Sequence, residues 1–207
     1  MKTFLAVAAM GAALTFAAGQ AGAVTLTFDD QASLVELEDG YADLQWDGFF
    51  TINGGIEFGE SGFENGAVSE GTVASNIGGE PASFSSATLF TLHDFFLTAA
   101  WSNDLDVQVI GRRGGVDIFT TNLVVDYDGP THVVLGWESI DEVFFVSSGG
   151  VDANFDDAGE GTHFAIDNLT LTTAAVPVPE PATWALMILG FGLAGAGLRA
   201  RRGRLAT

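Results

Sequence analysis

Hydrophobic and polar residues alternate with a period of two over most of the chain between residues 24 and 172. This alternation is typical of strands with one buried face, and the clusters of Gly, Asp and Asn that interrupt it are typical of turns. No long helical period is visible in this region. We therefore expect an all-β domain over residues 24–175, an antiparallel β-sandwich. Its predicted strands are 24–28, 41–52 (broken near Asp47-Gly48), 72–77, 82–89, 94–101, 105–109, 116–125, 131–135, 140–146 and 163–171.

The first residues have the pattern of a secretory signal peptide. Lys2 supplies a positive charge, and the apolar stretch from Phe4 to Phe16 has the length of a signal-peptide core. Ala21-Gly22-Ala23 is a small-residue cleavage site before Val24. We expect a signal peptide over residues 1–23 and export through the Sec translocon.

The C-terminal end contains three units in succession. Pro177, Pro179 and Pro181 fix φ and remove backbone donors, which predicts an extended spacer. The uncharged apolar run Trp184–Leu198 would form a helix of about 22 Å, short of the ~30 Å hydrocarbon core unless flanking residues take part. A cationic stop follows, consisting of Arg199, Arg201, Arg202 and Arg204.

This order predicts a transmembrane helix in the inner membrane, with the arginines in the cytoplasm and the body in the periplasm. The alternative is a buried helix of a soluble domain, which the arginine cluster would end with unpaired charge. The chain thus divides into a signal peptide (1–23), a β-sandwich (24–175) and a tail (176–207).

The tail resembles a PEP-CTERM sorting tail. The resemblance rests on Pro179, Glu180 and Pro181, followed by Trp184-Ala185, Gly190-Phe191-Gly192 and the arginines. The same tail is also classified as an ice-binding protein C-terminal domain, a name that carries no evidence of ice binding. The resemblance implies processing by an exosortase of a Gram-negative bacterium that makes exopolysaccharide, and release to the cell surface or extracellular matrix.

The charge is strongly acidic. The chain has 27 Asp and Glu, all between Asp29 and Glu180, and only two arginines lie in that interval, which gives it a net charge of −25. Such a surface repels nucleic acid and anionic lipid and attracts divalent cations. Seventeen Phe and four Trp indicate a packed interior rather than disorder. There is no cysteine, so no disulfide stabilises the exported body.

The body also resembles galactose-binding-like jelly rolls. Phe28-Asp29 ends the first strand, Val107-x-Val109-x-Gly111 forms a hairpin strand, and Phe164-x-Ile166-Asp167-Asn168-Leu169-x-Leu171 is the last strand. This resemblance implies a jelly-roll-like sandwich that binds a ligand, commonly carbohydrate, rather than a catalyst.

Calcium is the cofactor that the residues favour, because it binds hard oxygen donors from several segments. The jelly-roll resemblance implies a structural calcium between the first and last strands, where Asp29, Asp30 and Asp167 are the expected ligands. The alternative is that Asp29-Asp30 forms a turn and Asp167 accepts from a backbone amide or faces water. A second acidic group, Asp152, Asp156, Asp157 and Glu160, lacks the spacing of a calcium loop and indicates a solvated loop.

Aromatic residues are the expected sugar-binding side chains. Trp101 with Asn103 in the polar run after it is the best case, and Trp46 is a second; Tyr41 and Trp137 have the same chemistry. The alternative for each ring is the core of a phenylalanine-rich domain. Arg112 and Arg113 could bind an acidic polysaccharide, but pairing with neighbouring carboxylates is the favoured role.

No catalytic motif appears in the sequence. The three histidines are scattered without ligand spacing, and neither a Gly-x-Ser-x-Gly elbow nor a cysteine nucleophile is present. We therefore expect a non-enzymatic surface protein that binds exopolysaccharide or another carbohydrate. The first alternative is a structural or adhesion protein of the matrix, bridged by calcium. The second is a hydrolase, which would require a pocket with paired carboxylates at catalytic separation.

Overall fold

The structure is a computed structural model that describes residues 22–153, 160–173, 186–193 and 195. The chain forms two compact units: one covers residues 21–174, and the other combines residues 1–20 with 175–207. The predicted cleavage residue Ala21 lies outside the described residues, and Ala23 directly precedes the first strand. The sorting and stop residues also lie outside them: Pro179, Glu180, Pro181, Trp184, Arg199, Arg201, Arg202 and Arg204.

In the second unit, residues 186–193 are helical. Within the described ranges, the structure contains no helix of the length and apolarity that a membrane crossing requires.

The body consists mainly of antiparallel strands, as the alternation predicts. Two single-turn helices, α1 (Gly54–Glu57) and α2 (Gly62–Asn65), and two short 3₁₀ turns, Tyr41–Asp43 and Ile77–Gly79, lie between strands. The strands are β1 (Val24–Leu26), β2 (Val35–Glu36), β3 (Gln45–Asp47), β4 (Phe49–Asn53), β5 (Thr72–Asn76), β6 (Ala82–Ala99), β7 (Ser102–Arg113), β8 (Val116–Val125), β9 (Thr131–Asp152) and β10 (Phe164–Thr173).

The strands pair in the order β2-β4-β5-β10-β6-β9-β7-β8, with β1 also against β10 and β3 against β6. Two layers arise because β6 and β9 are long enough to take part in both. The first layer contains β1, β2, β4, β5 and β10 with residues 90–99 of β6 and 131–140 of β9. The second layer contains β3, β7 and β8 with residues 82–85 of β6 and 142–152 of β9. The expected antiparallel, sandwich-like architecture is confirmed.

Two pairs of predicted strands are continuous in the structure. Segment 82–89 and residues 94–99 of segment 94–101 belong to β6, and segments 131–135 and 140–146 belong to β9. The polar break in β9 is a bulge rather than a turn: Gly136 and Ser139 have φ values of 61° and 60°, and the register with β6 shifts between Trp137 and Ile140. A bulge bends a strand without ending its pairing, which lets one strand serve two layers.

The main core lies between the two layers. Phe145 of β9 is fully buried and belongs to the second layer. Its ring centroid lies 5.9 Å from that of Phe49, 5.7 Å from Phe95 and 5.5 Å from Phe164, all in the first layer. The rings of Phe49 and Phe95 meet it edge to face, the arrangement that the aromatic quadrupole favours. This aromatic cluster joins the layers.

A smaller core lies on the other face of the first layer. Phe63 of α2 and Trp101 pack edge to face with centroids 5.1 Å apart, and Ile52 and Val73 complete the cluster. The first residue of α2 is a glycine, Gly62, because a Cβ at this position would clash with the carbonyl oxygen of Ala99. Every buried member of both cores lies between residues 26 and 171, so the body has the apolar interior that independent folding requires.

We expect Phe145→Ala to lower the free energy of unfolding by about 3–5 kcal/mol, because it removes a fully buried ring from the contact between layers. The measurement is the urea midpoint of the body, residues 24–175. The matched control is Phe144→Ala. The Phe144 side chain is half-buried at the neighbouring position, so its removal should lower the free energy of unfolding far less. If both variants lose the same stability, Phe145 does not have this role. Phe145→Leu keeps the test measurable should the alanine variant not fold.

Candidate functional site

Tyr41 presents a fixed aromatic ring at the surface of the body. It begins the 3₁₀ turn before β3, and its half-buried ring lies 6.0 Å from the ring of Phe28 and 6.1 Å from that of Trp46. Its hydroxyl donates to Asp30 Oδ1 at 2.9 Å. Ring contacts on one side and a hydrogen bond at the tip together fix its orientation.

Two clefts adjoin Tyr41 on the surface. The first has a volume of about 320 Å³ and the second about 430 Å³. The first is lined by Gln31, Val35, Glu36, Glu38, Asp39 and Tyr41, and the second by Thr25, Leu26, Thr27, Asp30, Gly40, Tyr41 and Ala42. The clefts thus combine an aromatic ring with carboxylate and hydroxyl oxygens. Apolar faces of a ligand can pack on the ring while its hydroxyls donate to the carboxylates.

The loop that carries these residues is anchored from beneath. Leu37 and Leu44 are buried in the main core, while the side chains between them are mostly exposed. Trp46 holds the loop at two points: its indole N–H donates to the Tyr41 carbonyl, and its backbone N–H donates to Asp39 Oδ1, both at 3.0 Å. The buried tryptophan therefore positions the exposed tyrosine and aspartate.

Backbone strain accumulates in the same loop. Eight non-glycine residues among those described have positive φ, and half of them lie between positions 28 and 43. These four are Phe28, Leu34, Ala42 and Asp43, with φ between 55° and 60°. Such conformations cost about 1–3 kcal/mol each and persist only where the surroundings hold them. Their position beside both clefts supports a role in presenting the site.

The Tyr41 hydroxyl keeps its proton. Burial raises its pKa, and the hydrogen bond to Asp30 and the negative charge of that carboxylate raise it further. Tyr41 is therefore a neutral donor to Asp30, and the free lone pairs of Asp30 remain acceptors for a ligand.

Asp167 and Asp29 bind the backbone of one loop, residues 68–72. Asp167 is fully buried and accepts from the backbone N–H groups of Val68 (2.7 Å) and Ser69 (2.8 Å) and from the Ser69 hydroxyl. Asp29 accepts from the N–H groups of Glu70 (3.2 Å) and Thr72 (3.1 Å). The structure thus places the aspartates that follow the first strand and lie on the last strand against the same loop.

These carboxylates differ in their electrostatics. Burial tends to raise the pKa of Asp29, but hydrogen bonds from Ser69, Thr72 and Glu70 outweigh it and hold the pKa below its ordinary value. For Asp167, burial dominates and raises the pKa although several N–H groups favour the ionised form. The bonds to loop 68–72 compensate only part of the cost of burying this charge.

The arrangement does not fit calcium at Asp29, Asp30 and Asp167. The ion needs converging oxygen lone pairs, whereas the oxygens of Asp29 and Asp167 face N–H and O–H donors. Asp30 points instead to the Tyr41 hydroxyl. Among the side chains that the structure describes, no group of three or more His, Cys, Asp or Glu could hold a metal ion. Calcium binding stays a prediction. For Asp167, the structure shows the alternative interpretation, a carboxylate that accepts hydrogen bonds from backbone amides.

The two tryptophans expected to bind sugar lie in the two cores. Trp46 is 7% exposed and packs against Phe84, and Trp101 is 5% exposed and packs against Phe63. Asn103 lies on β7, half-exposed and paired in register with β9. Burial leaves little of either ring for stacking, so sugar binding here would require the covering side chains to move. For these three residues it stays a prediction.

Arg112 pairs with carboxylates, as its surroundings in the sequence suggested. Its Nε lies 2.7 Å from Asp117 Oδ1, its Nη1 lies 3.4 Å from Glu142 Oε1, and its guanidinium covers the Phe144 ring at 4.3 Å. The hydrogen bond to Asp117 is the largest of the effects that raise its pKa. A ligand would have to displace two acids to use this cation.

A third cleft lies on the outer face of the second layer. Its volume is about 310 Å³, and it is lined by Asp106, Val107, Gln108, Asn122, Val146 and Ser148. Gln108 Nε2 donates to Asn122 Oδ1 at 2.9 Å, so each of these two side-chain amides already has one hydrogen-bond partner. No aromatic residue lines this cleft, which makes the surface around Tyr41 the stronger candidate.

The sequence contains a signal for the acidic lining that strand prediction overlooks. Glu36-Leu37-Glu38-Asp39-Gly40-Tyr41 places three carboxylates and an aromatic residue within six positions. Because Leu37 points into the core, the acids beside it are exposed in the first cleft. Asp30 is the one predicted metal ligand that lines a cleft beside Tyr41.

Residues 177–202 match a family model described as the PEP-CTERM protein-sorting motif. The chain therefore carries this sorting motif, and the resemblance built on Pro179, Glu180 and Pro181 is confirmed. The motif implies export and processing by an exosortase at the membrane, toward the cell surface. No curated protein matches the chain in sequence.

Three solved structures are similar to the body in fold. TmCBM61 in complex with beta-1,4-galactotriose has 10% identity and a TM-score of 0.36, over 62% of this chain and 85% of that one. A DUF4465 family protein from Bacteroides ovatus has 10% identity and a TM-score of 0.46, over 73% and 88%. The CBM22-1 xylan-binding domain of Paenibacillus barcinonensis Xyn10C has 11% identity and a TM-score of 0.40, over 77% and 99%.

We expect Asp167→Asn to lower the free energy of unfolding by about 1.5–3 kcal/mol, because an amide replaces a charged acceptor and turns its NH₂ toward backbone donors. Asp128→Asn, at an exposed position, is the matched control. The measurement is the thermal or urea midpoint with added calcium and with chelator. If Asp167 holds loop 68–72, the wild-type midpoint is the same in both conditions. A calcium-dependent midpoint that the Asn variant abolishes would contradict this role.

We expect His163 to make stability depend on pH near neutrality. Burial lowers its pKa below the ordinary 6.5, so between the two values the unfolded chain binds more protons than the folded one. Stability therefore rises with pH through this window and is complete above about 6.5. Because His163→Gln removes the titration, the difference in unfolding free energy between wild type and variant should change from pH 5 to pH 7.5. A difference that stays constant would show that His163 does not titrate differently on folding.

Proposed function

We propose that the exported body binds a neutral carbohydrate of the extracellular polysaccharide at the surface around Tyr41. The observation that supports this most is the pair of clefts that share this fixed ring and offer carboxylate and hydroxyl oxygens beside it. Sugars have apolar C–H faces and hydroxyl edges, and this site matches both. The jelly-roll resemblance of the sequence has the same implication.

The charge of the site favours neutral over acidic sugars. Glu36, Glu38 and Asp39 are exposed in the first cleft, and Asp30 lines the second. The described residues that line the clefts include no lysine or arginine, and a uronic acid would meet only negative charge from them. The proposed ligand class is therefore a glycan with free hydroxyls and no carboxylate.

The route to the surface is part of the proposal. Residues 1–23 direct export through the Sec translocon, and the apolar run Trp184–Leu198 holds the precursor in the inner membrane. The exosortase then separates the periplasmic body from its tail, and the body reaches the cell surface or matrix. The sorting motif at 177–202 supports this order of events.

We also propose that the body is not an enzyme. Each histidine engages a different partner: His93 bonds to Thr172, His132 lies near Asp94, and His163 bonds to the Glu160 carbonyl. In these contacts only His93 meets a hydroxyl, that of Thr172, and neither residue is among those that line the clefts beside Tyr41. This supports binding without catalysis.

The second candidate function is a structural or adhesion protein of the matrix that calcium bridges from outside. The many exposed carboxylates of an interval with a net charge of −25 support it, because divalent ions can link such surfaces between molecules. This function predicts calcium-dependent self-association without saturable sugar binding.

A glycan array with the purified body, run with and without chelator, tests both functions. We expect saturable binding to neutral glycans that persists in chelator. Tyr41→Ala should weaken binding at least about tenfold, equal to ~1.4 kcal/mol, because it removes the stacking ring. Glu38→Gln should weaken binding without a change in melting temperature, whereas the exposed control Glu138→Gln should change neither.

Tyr41→Phe keeps the packed ring and removes only the hydrogen bond from the hydroxyl to Asp30. It therefore tests binding in a variant whose loop keeps its ring contacts, should Tyr41→Ala disturb the fold. Wild-type protein that binds no glycan, or Tyr41→Ala and Glu38→Gln variants that bind like wild type, would overturn the proposed site. Association that appears only with calcium would instead favour the matrix function.

A further inference from the structure

Strand β8 is a long open edge of the second layer. It pairs with β7 on one side, from Val116 opposite Arg113 to Val125 opposite Leu105 with a bulge at Ile118, and it ends the strand order. Within the described part of the chain, no strand pairs with its other side. Unpaired N–H and C=O groups along such an edge can bond to another strand.

The other outer strands are much shorter. At the opposite end of the strand order, β2 has two residues, and β1 and β3, which lie beside the main order, have three each. Short edges are a common protection against association, whereas β8 lacks both this protection and any proline or lysine. Among the described strands, β8 is therefore the edge suited to pairing with another chain.

The exposed side chains of β8 are mostly uncharged: Thr120, Asn122 and three aliphatic residues are among them, and Asp117 is the one acid of the strand. Val116, Ile118 and Val124 are 62%, 42% and 59% exposed. Residues 118–125 contain no charged side chain, although the chain has 27 acidic residues. Two copies of so acidic a body repel each other over most of their surfaces, and β8 offers a contact that avoids this repulsion.

The hydrophobic pattern of β8 is symmetric about Thr121. Ile118 and Val124 lie three residues from it on either side, and Phe119 and Leu123 lie two residues from it. When two antiparallel copies pair at Thr121, Ile118 therefore meets Val124 of the second copy, and Phe119 meets Leu123. Such a self-complementary strand is what a twofold interface requires.

We propose that β8 pairs antiparallel with β8 of a second copy, centred on Thr121, and joins two second layers into one continuous sheet. The lone acid of the strand, Asp117, lies beyond the bulge at Ile118 and therefore outside the regular paired segment. The bulge at Ile118, where the register with β7 shifts, ends the regular paired segment. This dimer is independent of the proposed sugar site and needs no calcium.

The test is sedimentation of the body over a concentration series, with chelator present. We expect a monomer–dimer equilibrium for wild type. Val124→Lys should raise the dimer dissociation constant at least tenfold, because each copy then places a lysine in the contact between the two β8 strands. The matched control is Val134→Lys, which is 71% exposed on β9 and should dimerise like wild type. Melting temperatures show that both lysine variants are folded.

A cross-link tests the register. The chain contains no cysteine, so Thr121→Cys introduces a single thiol that should form an intermolecular disulfide on mild oxidation. Val134→Cys should form no covalent dimer under the same conditions. A wild-type body that stays monomeric, a dimer that Val124→Lys leaves unchanged, or equal cross-linking by both cysteine variants would overturn the proposal. A dimer that chelator dissolves would also overturn it, in favour of calcium bridging.

Discussion

The contact between Phe145 and the rings of the opposite layer is the interaction on which the fold depends. Phe145 lies on β9, and this strand and β6 run through both layers. A shared strand must bend between layers, and it bends only if both ends find apolar surface to bury. The rings of Phe49, Phe95 and Phe164 supply that surface at centroid distances below 6 Å. Without cysteine, core packing of this kind has to hold the layers together.

Carboxylates inside this acidic protein act as ligands for its own backbone. Asp167 and Asp29 bind four N–H groups of loop 68–72, and Asp39 binds the N–H of Trp46. Each bond places a negative charge against the positive end of a peptide dipole, so loops without regular structure are fixed without a disulfide. The same chemistry explains why the arrangement of Asp29 and Asp167 suits hydrogen-bond donors better than a cation.

The rigid interior and the exposed features meet at two places. At Tyr41, the buried Trp46 fixes the loop whose exposed ring and acids line the two clefts. At β8, the ring of Phe119 stacks on the largely buried Trp137 at 5.3 Å, while neighbouring valines and Ile118 face outward. In both cases a tryptophan in the core holds in place a strand or loop that is available to a partner.

The sequence by itself determined the strand class, the acidic surface and the sorting tail. Alternation, charge and the Pro-Glu-Pro motif are properties of neighbouring residues, so they can be read without knowing the fold. The jelly-roll resemblance implied a calcium ion between Asp29, Asp30 and Asp167, whereas the structure shows Asp29 and Asp167 bound to the backbone of loop 68–72. The sequence missed the continuity of β6 and β9, because a bulge and a turn have similar residues.

Only the tertiary structure decided what the aspartates and the tryptophans touch. Trp46 and Trp101 are buried because the loops before β3 and around α2 fold over them, and Asp167 meets a loop about a hundred positions earlier in the chain. It also decided that Tyr41 lies between two clefts and that β8 is left at an edge. Contacts of this kind depend on how distant segments pack, and local alternation carries no information about that packing.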